Sequence, residues 1–270
     1  MPNNLLAGKK GIIFGALDAN SIAWKTAEYC VAEGAQIVLT NAPIALRMGE
    51  INKLAEACNA PVIPCDVSSN NDVTALFTRT QEHFGSKVDF VLHSIGMSIN
   101  IRKGKHYTEI DYTHGQKTLD ISAVSLHRVL ATAYKLDAIN DWGSVVALTY
   151  IAAQRVFPDY NEMADAKALL ESITRSFGYH YGVRNKVRVN SISQSPTRTT
   201  AGSGVKGFDG FMSYAEAMSP LGNATAADCA NYIVSLFSDY TKLVTMQNLF
   251  HDGGFSYTGV SEAVVMQMEK

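Results

Sequence analysis

The stretch Lys10–Glu33, KGIIFGALDANSIAWKTAEYCVAE, decides the fold. Its first residues, Lys10–Gly15, form a short β-type run without polar alternation, the pattern of a strand covered on both faces. From Ser21 the pattern becomes helical and lasts to Glu33, with Asn20 or Ser21 available as N-cap. A strand that turns at a glycine into a helix is the opening half of a βαβ unit.

Outward from this unit the rhythm repeats. Strands are expected at Gln36–Thr40, Pro61–Cys65, Val88–Ser94, Ser144–Tyr150, Val187–Ser193 and Thr245–Phe250. Helices are expected at Ile44–Cys58, Asn71–Phe84, Ile121–Leu136, Tyr160–Tyr181 and Ala226–Ser238. Seven strands joined by helical crossovers give an α/β fold, a doubly wound seven-stranded parallel sheet of the Rossmann type, in the order 3-2-1-4-5-6-7. No linker, repeat or low-complexity segment interrupts it, so residues 1–270 read as one domain. Ser195–Asn223 breaks the rhythm, with Gly202, Gly204, Gly207, Gly210 and Gly222 among aromatics. At the carboxyl edge of such a sheet it reads as a mobile lid, with a plain surface loop as the alternative.

The charge is nearly balanced, formal net charge −2 with 18% charged residues, so nothing points to nucleic acid or a membrane surface. No apolar window is long enough for a membrane span, and the N-terminus has no signal-peptide pattern. Cys30, Cys58, Cys65 and Cys229 form no C-x-x-C pair and read as buried thiols. The expectation is a cytoplasmic metabolic protein.

The turn after the first strand is not the G-x-G-x-x-G fingerprint. It can still receive a pyrophosphate at the free N–H groups of the helix start, with Gly15 permitting close approach. At the ends of later strands, Asp66 can accept from an adenine amino group, and Ser94-Ile95-Gly96 can pass beside a ribose. Each also has a plain structural use, Asp66 as a turn cap and Gly96 in a tight bend. No Asp or Glu follows the second strand, Thr40-Asn41-Ala42-Pro43, to grip ribose hydroxyls. Arg47 could pair with a 2′-phosphate but stands several residues into the next helix, so NADH is favoured over NADPH.

Tyr160 and Lys167 are the candidate catalytic pair. Seven residues turn a helix by about 700 degrees, which sets both side chains on one face roughly 10 Å apart. An ammonium there can hold the nicotinamide ribose and favour an ionised or hydrogen-bond-donating tyrosine. Tyr160 would then donate to a substrate oxygen as charge builds on it. Tyr179 and Lys186 share the spacing but straddle Gly182, whereas Pro158 before Tyr160 is a helix-start signal. No tyrosine has a lysine four residues later, so the Tyr-x-x-x-Lys pair of carbonyl reducers is absent. Tyr150 ends the fifth expected strand, as a catalytic group or as an aromatic filling the cleft. The seven histidines show no metal spacing, and His93 reads as a core residue rather than a base.

In combination and order, several segments resemble the bacterial enoyl-(acyl-carrier-protein) reductases, divergent members of the short-chain dehydrogenase/reductase superfamily. They are Ser21-Ile22-Ala23, Cys65-Asp66-Val67, His93-Ser94-Ile95-Gly96, Leu148-Thr149-Tyr150, Tyr160 with Lys167, Val187-Arg188-Val189-Asn190, Pro196-Thr197-Arg198-Thr199 and His251-Asp252-Gly253-Gly254-Phe255. The resemblance implies that Gly15, Ser21, Ile22, Asp66, Val67, Ser94, Ile95, Gly96, Lys167, Thr197, Arg198, Thr199, Thr200 and Ala201 touch NAD. It implies that Ala42, with Asn41, stands at the ribose, and that Ser98, Tyr150, Tyr160 and Phe208 face the substrate. It further implies hydride delivery from NADH to C3 of a trans-2-enoyl thioester on acyl carrier protein or coenzyme A, an enolate held by Tyr160, protonation at C2 and a homotetramer.

Three positions depart from the family pattern: Lys25 replaces a glycine of the first helix, and Ser195 and Thr197 replace Gly and Ile of a Gly-Pro-Ile-Arg-Thr run. Lys25 opposes the helix dipole, so it is expected either to point to solvent or to help the pyrophosphate. Two other functions are open: a carbonyl reductase of the same superfamily, opposed by the absent Tyr-x-x-x-Lys, and a non-catalytic nucleotide sensor, opposed by the retained tyrosines.

Overall fold

The computed structural model describes residues 3–48, 50–200 and 207–269. β1 (Lys10–Phe14) is buried along all but its first residue, and Gly15 bends the chain at φ +92 toward helix α1 (Ile22–Ala32). Ser21 caps α1, its Oγ accepting from the Trp24 N–H. There follow β2 (Gln36–Thr40), α2 (Pro43–Met48), α3 (Ile51–Cys58), α4 (Asn70–Phe84) and β3 (Val88–His93). The short α5 (Ile99–Arg102) leads to α6 (Tyr112–Leu119), a π-helical turn (Asp120–Val124) and α7 (Ser125–Lys135). Then come β4 (Ile139–Thr149), the long α8 (Asn161–Asn185), β5 (Arg188–Gln194), α9 (Phe208–Met218), α10 (Ala226–Phe237), β6 (Asn248–His251) and α11 (Glu262–Met268).

Among the described residues six strands form one parallel sheet, ordered β2-β1-β3-β4-β5-β6. Trp24, Ala27 and Cys30 of α1 pack with Ile233 and Phe237 of α10 on one face, while Val73, Val129 and Leu170 of α4, α7 and α8 pack on the other. The chain is therefore a doubly wound Rossmann-type α/β protein, as expected.

The third of the seven expected strands, Pro61–Cys65, is reduced to a single parallel bridge between Leu39 and Val62. The chain still runs beside β2, with the Leu39, Ile63 and Cys65 N–H groups donating to Pro61, Leu39 and Asn41 carbonyls. Pro61 and Pro64 have no N–H to give, and this breaks a regular ladder. The last strand starts at Asn248 rather than Thr245, because Met246 takes φ +63 and leaves the extended region. β4 reaches back to Ile139 and ends at Thr149. The expected helix Ile44–Cys58 is two helices, α2 and α3, and the Glu50 N–H donates to the Leu17 carbonyl instead of continuing a helix. The expected helix from Ile121 begins at Tyr112 and passes through the π turn.

All four cysteines are buried and unbridged. Among the described residues no helix is long and apolar enough to cross a membrane.

Candidate active site

The carboxyl ends of β1, β3 and β4 open onto a cavity of about 380 Å³. The N-terminus of α1 delivers Ser21 and Ile22 to its wall. Gly15, Ser94, Ile95, Gly96, Ser98, Tyr160, Lys167, Thr199 and Thr200 all line it, so most of the expected dinucleotide contacts converge. Gly15 has a structural reason beyond ligand approach: a Cβ would stand 1.9 Å from the Ser94 carbonyl oxygen. Gly96 keeps the wall open beside Lys167, whose Nζ lies 3.8 Å from where a Cβ would stand. The volume and the donor set fit an elongated dinucleotide, with backbone N–H groups at a helix start for phosphate and one ammonium for a ribose.

A second cavity, about 180 Å³, adjoins the first through the shared residues Ile22, Leu148, Tyr160, Lys167 and Thr199. Tyr150, Thr197, Phe208 and Phe211 complete much of its lining. The rings of Tyr150 and Tyr160 stand 5.2 Å apart, inclined at 56°.

Tyr160 does not sit inside the helix that carries Lys167. It ends a one-turn 3-10 segment, Pro158–Tyr160, and Asn161 at φ +45 separates that turn from the body of α8. Pro158 starts the 3-10 turn, and both side chains nevertheless face the two cavities. The competing pair is separated differently from expectation: α8 runs through Gly182, and Lys186 is its left-handed cap at φ +61.

Burial pushes Tyr160 well above the ordinary phenol value, so it is a neutral hydrogen-bond donor rather than a phenolate. Tyr150 is raised by burial, then by Tyr160 and Asp252. Burial lowers Lys167 to about 8, partly opposed by Glu171 one turn on. The Lys167 ammonium donates to the Leu148 carbonyl at 2.8 Å. His93 is fully buried, lowered to about 3 by desolvation and Lys167, and paired through Nε2 with Ser125 Oγ at 2.9 Å, so it is the expected core histidine.

Other expected contacts stand apart from the cavities. Asp66 Oδ1 accepts from Ser68 N–H at 2.9 Å and Ser68 Oγ at 2.7 Å, a turn ahead of α4, and these bonds hold it below the usual carboxylate range. Val67 is buried, its carbonyl accepting from Arg128. Ala42 gives its N–H to Asn41 Oδ1, while Asn41 and Ala45 line the larger cavity. Arg198 pairs with Asp209 at 2.8 Å on the exposed side of α9. Lys25 pairs with Glu28 at 2.8 Å and stays out of the cavity lining. Ala201, with Gly202 and Gly204 of the expected lid, lies outside the described residues.

The sequence reading missed several groups. Asp18 lines the larger cavity and accepts from Thr200 Oγ1, linking the β1 turn to the segment after β5. Ser122, in the π turn, accepts from the Met97 N–H at 3.0 Å and so holds the cavity wall. Glu162 is 2% exposed, and its Oε1 accepts from Ser98 at 2.7 Å, Thr118 at 2.8 Å and Asn100 at 3.2 Å. Ser98 also caps α5, its Oγ accepting from the Ile101 N–H at 3.0 Å. A patterned signal existed only for Asp18, a polar residue in the turn after β1.

Residues 15–256 match the family model described as enoyl-(acyl carrier protein) reductase. Over 260 residues the chain is 34% identical to enoyl-(acyl-carrier-protein) reductase (NADH) 2 of Rhizobium meliloti, covering 96% of this chain and 95% of that protein. It superposes on the FabI–NADH complex of Alistipes finegoldii with a TM-score of 0.96 and 62% identity, covering 96% of this chain and 92% of that one. The enoyl-(acyl-carrier-protein) reductase (NADH) of Aquifex aeolicus aligns with a TM-score of 0.87 and 31% identity, covering 95% and 99%.

Proposed function

Because the chain belongs to the enoyl-(acyl carrier protein) reductase family, we propose that Tyr150, Tyr160 and Lys167 are the reacting constellation of its NADH-dependent reduction of a trans-2-enoyl thioester. The activity is that of fatty acid synthesis, the substrate being carried on acyl carrier protein. The carrying observation is that Tyr160 and the buried Lys167 line both cavities, with Tyr150 beside Tyr160 in the smaller one.

Lys167, Ser21, Ile22 and the 94–96 segment would hold NADH, with Thr197 to Thr200 on its outer side. Bound there, NADH would supply the hydride for C3 of the enoyl group, and C2 of the resulting enolate would take up a proton. Neutral Tyr160 donates to the thioester oxygen as negative charge develops, a stabilisation typically worth about 100 to 1000-fold in rate. Lys167 is already held toward the site by the Leu148 carbonyl, so its ammonium enters ribose contact with little loss of side-chain freedom. Tyr150, inclined against Tyr160, limits how that phenol can turn. Phe208 and the tyrosines form apolar walls that exclude water.

The reading extends to residues 1–270 as one reductase domain, with 195–223 as a lid, in a cytoplasmic homotetramer. Size-exclusion chromatography with light scattering tests the assembly. For the chemistry, purified protein is mixed with NADH and crotonyl thioester, then with acetoacetyl thioester. NADH oxidation with the first alone is expected. Oxidation with the ketone alone would make this a carbonyl reductase, and tight NADH binding with no turnover of either would make it a sensor.

A further inference from the structure

The end of β4 is held by two side chains of one helix. Lys167 donates to the Leu148 carbonyl at 2.8 Å, and Glu171, one turn further along α8, accepts from the hydroxyl of the next residue, Thr149, at 2.9 Å. Side chains four positions apart share a helix face, so both reach the same strand from the same side. Tyr150, which lines the smaller cavity, is the residue that follows these two.

Glu171 also holds the far side of Tyr150. Its Oε2 accepts from the Gln154 side-chain amide at 3.0 Å, and Gln154 closes the 3-10 turn Ile151–Ala153 that follows the tyrosine. Its Oε1 accepts from Asn248 of β6 at 3.1 Å. Tyr150 stands at the start of that turn with no side-chain cap bond, so the turn is anchored through Glu171 rather than through a cap of its own. We propose that Glu171 is a positioning residue of the reduction, which brackets Tyr150 between Thr149 and Gln154 and whose charge keeps Lys167 an ammonium. The inference rests on the enoyl thioester reading of the site.

The contacts call for a carboxylate. Glu171 is 5% exposed, and three donors converge on its two oxygens. A glutamine could not accept from all three, because its NH2 group would face one of them. The charge has a second use at Lys167. His93 on β3 is held neutral, down at about 3, and Tyr160 is a neutral phenol, so Glu171 is the anion that opposes desolvation and leaves the lysine at about 8. Without that anion the ammonium would lose its proton at lower pH.

The test follows kcat and KM with crotonyl thioester, NADH affinity against pH, and Tm. Gln154→Ala removes one bond of the bracket and leaves the charge. It is expected to lower kcat at least about threefold while the pH midpoint of NADH binding stays in place. Glu171→Gln is expected to lower kcat about tenfold or more and to move that midpoint down by about one pH unit. A lower Tm with an unmoved midpoint in Glu171→Gln would overturn the proposal, since the residue would then only support the fold. Normal kcat in Gln154→Ala would overturn it too. Should Glu171→Gln not fold, Glu171→Asp takes its place, keeping the charge and drawing the oxygens back by one methylene. Lower kcat with an unchanged midpoint is then expected, and normal kcat or a moved midpoint would overturn the proposal. Failure of the wild type to oxidise NADH with crotonyl thioester would instead overturn the parent reading, while the NADH-binding midpoints would still report on Glu171 and Lys167.

Discussion

The ammonium of Lys167 donates to the carbonyl oxygen of Leu148 at 2.8 Å, tying the middle of α8 to the end of β4. A lysine that is 7% exposed keeps its proton at a cost, and its value falls from 10.5 to about 8. Between those values the unfolded chain holds more protons than the folded one, so this group makes stability rise with pH across that window. Below about 8 the full penalty stands, roughly 3 kcal/mol from the size of the shift. NADH affinity runs the other way. The ammonium proposed to hold the ribose is lost as pH rises through about 8. NADH titrations from about pH 7 to about pH 9 should therefore show weakening binding, and Lys167→Met should bind weakly with that pH dependence gone. A pH-independent wild-type affinity would remove Lys167 from the ribose contact.

Tyr160→Phe isolates the hydrogen bond from the packing. The ring keeps its place against Tyr150, at 5.2 Å, and loses only the donor. Turnover of crotonyl thioester should fall about 100 to 1000-fold with NADH affinity kept within about twofold. Because burial holds the phenol neutral, wild-type activity should show no step from tyrosine ionisation on the alkaline side below pH ~10. Near-normal turnover in the variant would hand the donor role to another group.

Gly15→Ala tests the first turn. Two constraints fall on one residue there, φ +92 and a Cβ position 1.9 Å from the Ser94 carbonyl oxygen. Neither β1 nor β3 can retreat from the centre of the sheet. A loss of about 3 kcal/mol is expected, near 6 to 12 °C in Tm, with NADH binding weakened because Gly15 and Ser94 both line the dinucleotide cavity. Calorimetry with and without NADH checks it, and an unchanged Tm would mean the turn relaxes at little cost.

What could be seen in the residues alone follows from how local each cause is. The β1–Gly15–α1 unit was legible because strand burial, turn glycine and serine cap are all encoded within a few positions. The Tyr160–Lys167 pair was legible by spacing, although the helix begins one residue later than expected and Asn161 bends the chain between them. Pro61–Cys65 misled because an apolar run signals burial, while its two prolines determine whether a ladder can form. For Asp66 the structural use was also local: Ser68 two residues on donates twice to its Oδ1, the turn use foreseen beside adenine recognition. Glu162 and Ser122 could not be picked out. In the chain they look like a first-turn acid and a helix serine, and only long-range packing gives them their partners.

Glu162 gives the last prediction its basis. Its Oε1 accepts from Ser98, Asn100 and Thr118, three donors on α5 and α6 or at the start of α5, so one buried oxygen fixes the wall that faces Tyr160 and Lys167. Glu162→Gln retains an acceptor at that position and should cost little. Glu162→Ala removes the acceptor and leaves three polar groups to be desolvated without their shared partner, at about 3 kcal/mol in total. The wall would loosen with the loss, since the Ser98 cap is one of the bonds that holds α5. Tm should drop by about 6 to 12 °C in the alanine variant, and NADH affinity should weaken more than it does in Glu162→Gln. An equal loss in the two variants would mean that the charge of the carboxylate, and not a neutral acceptor at that position, is what the wall requires.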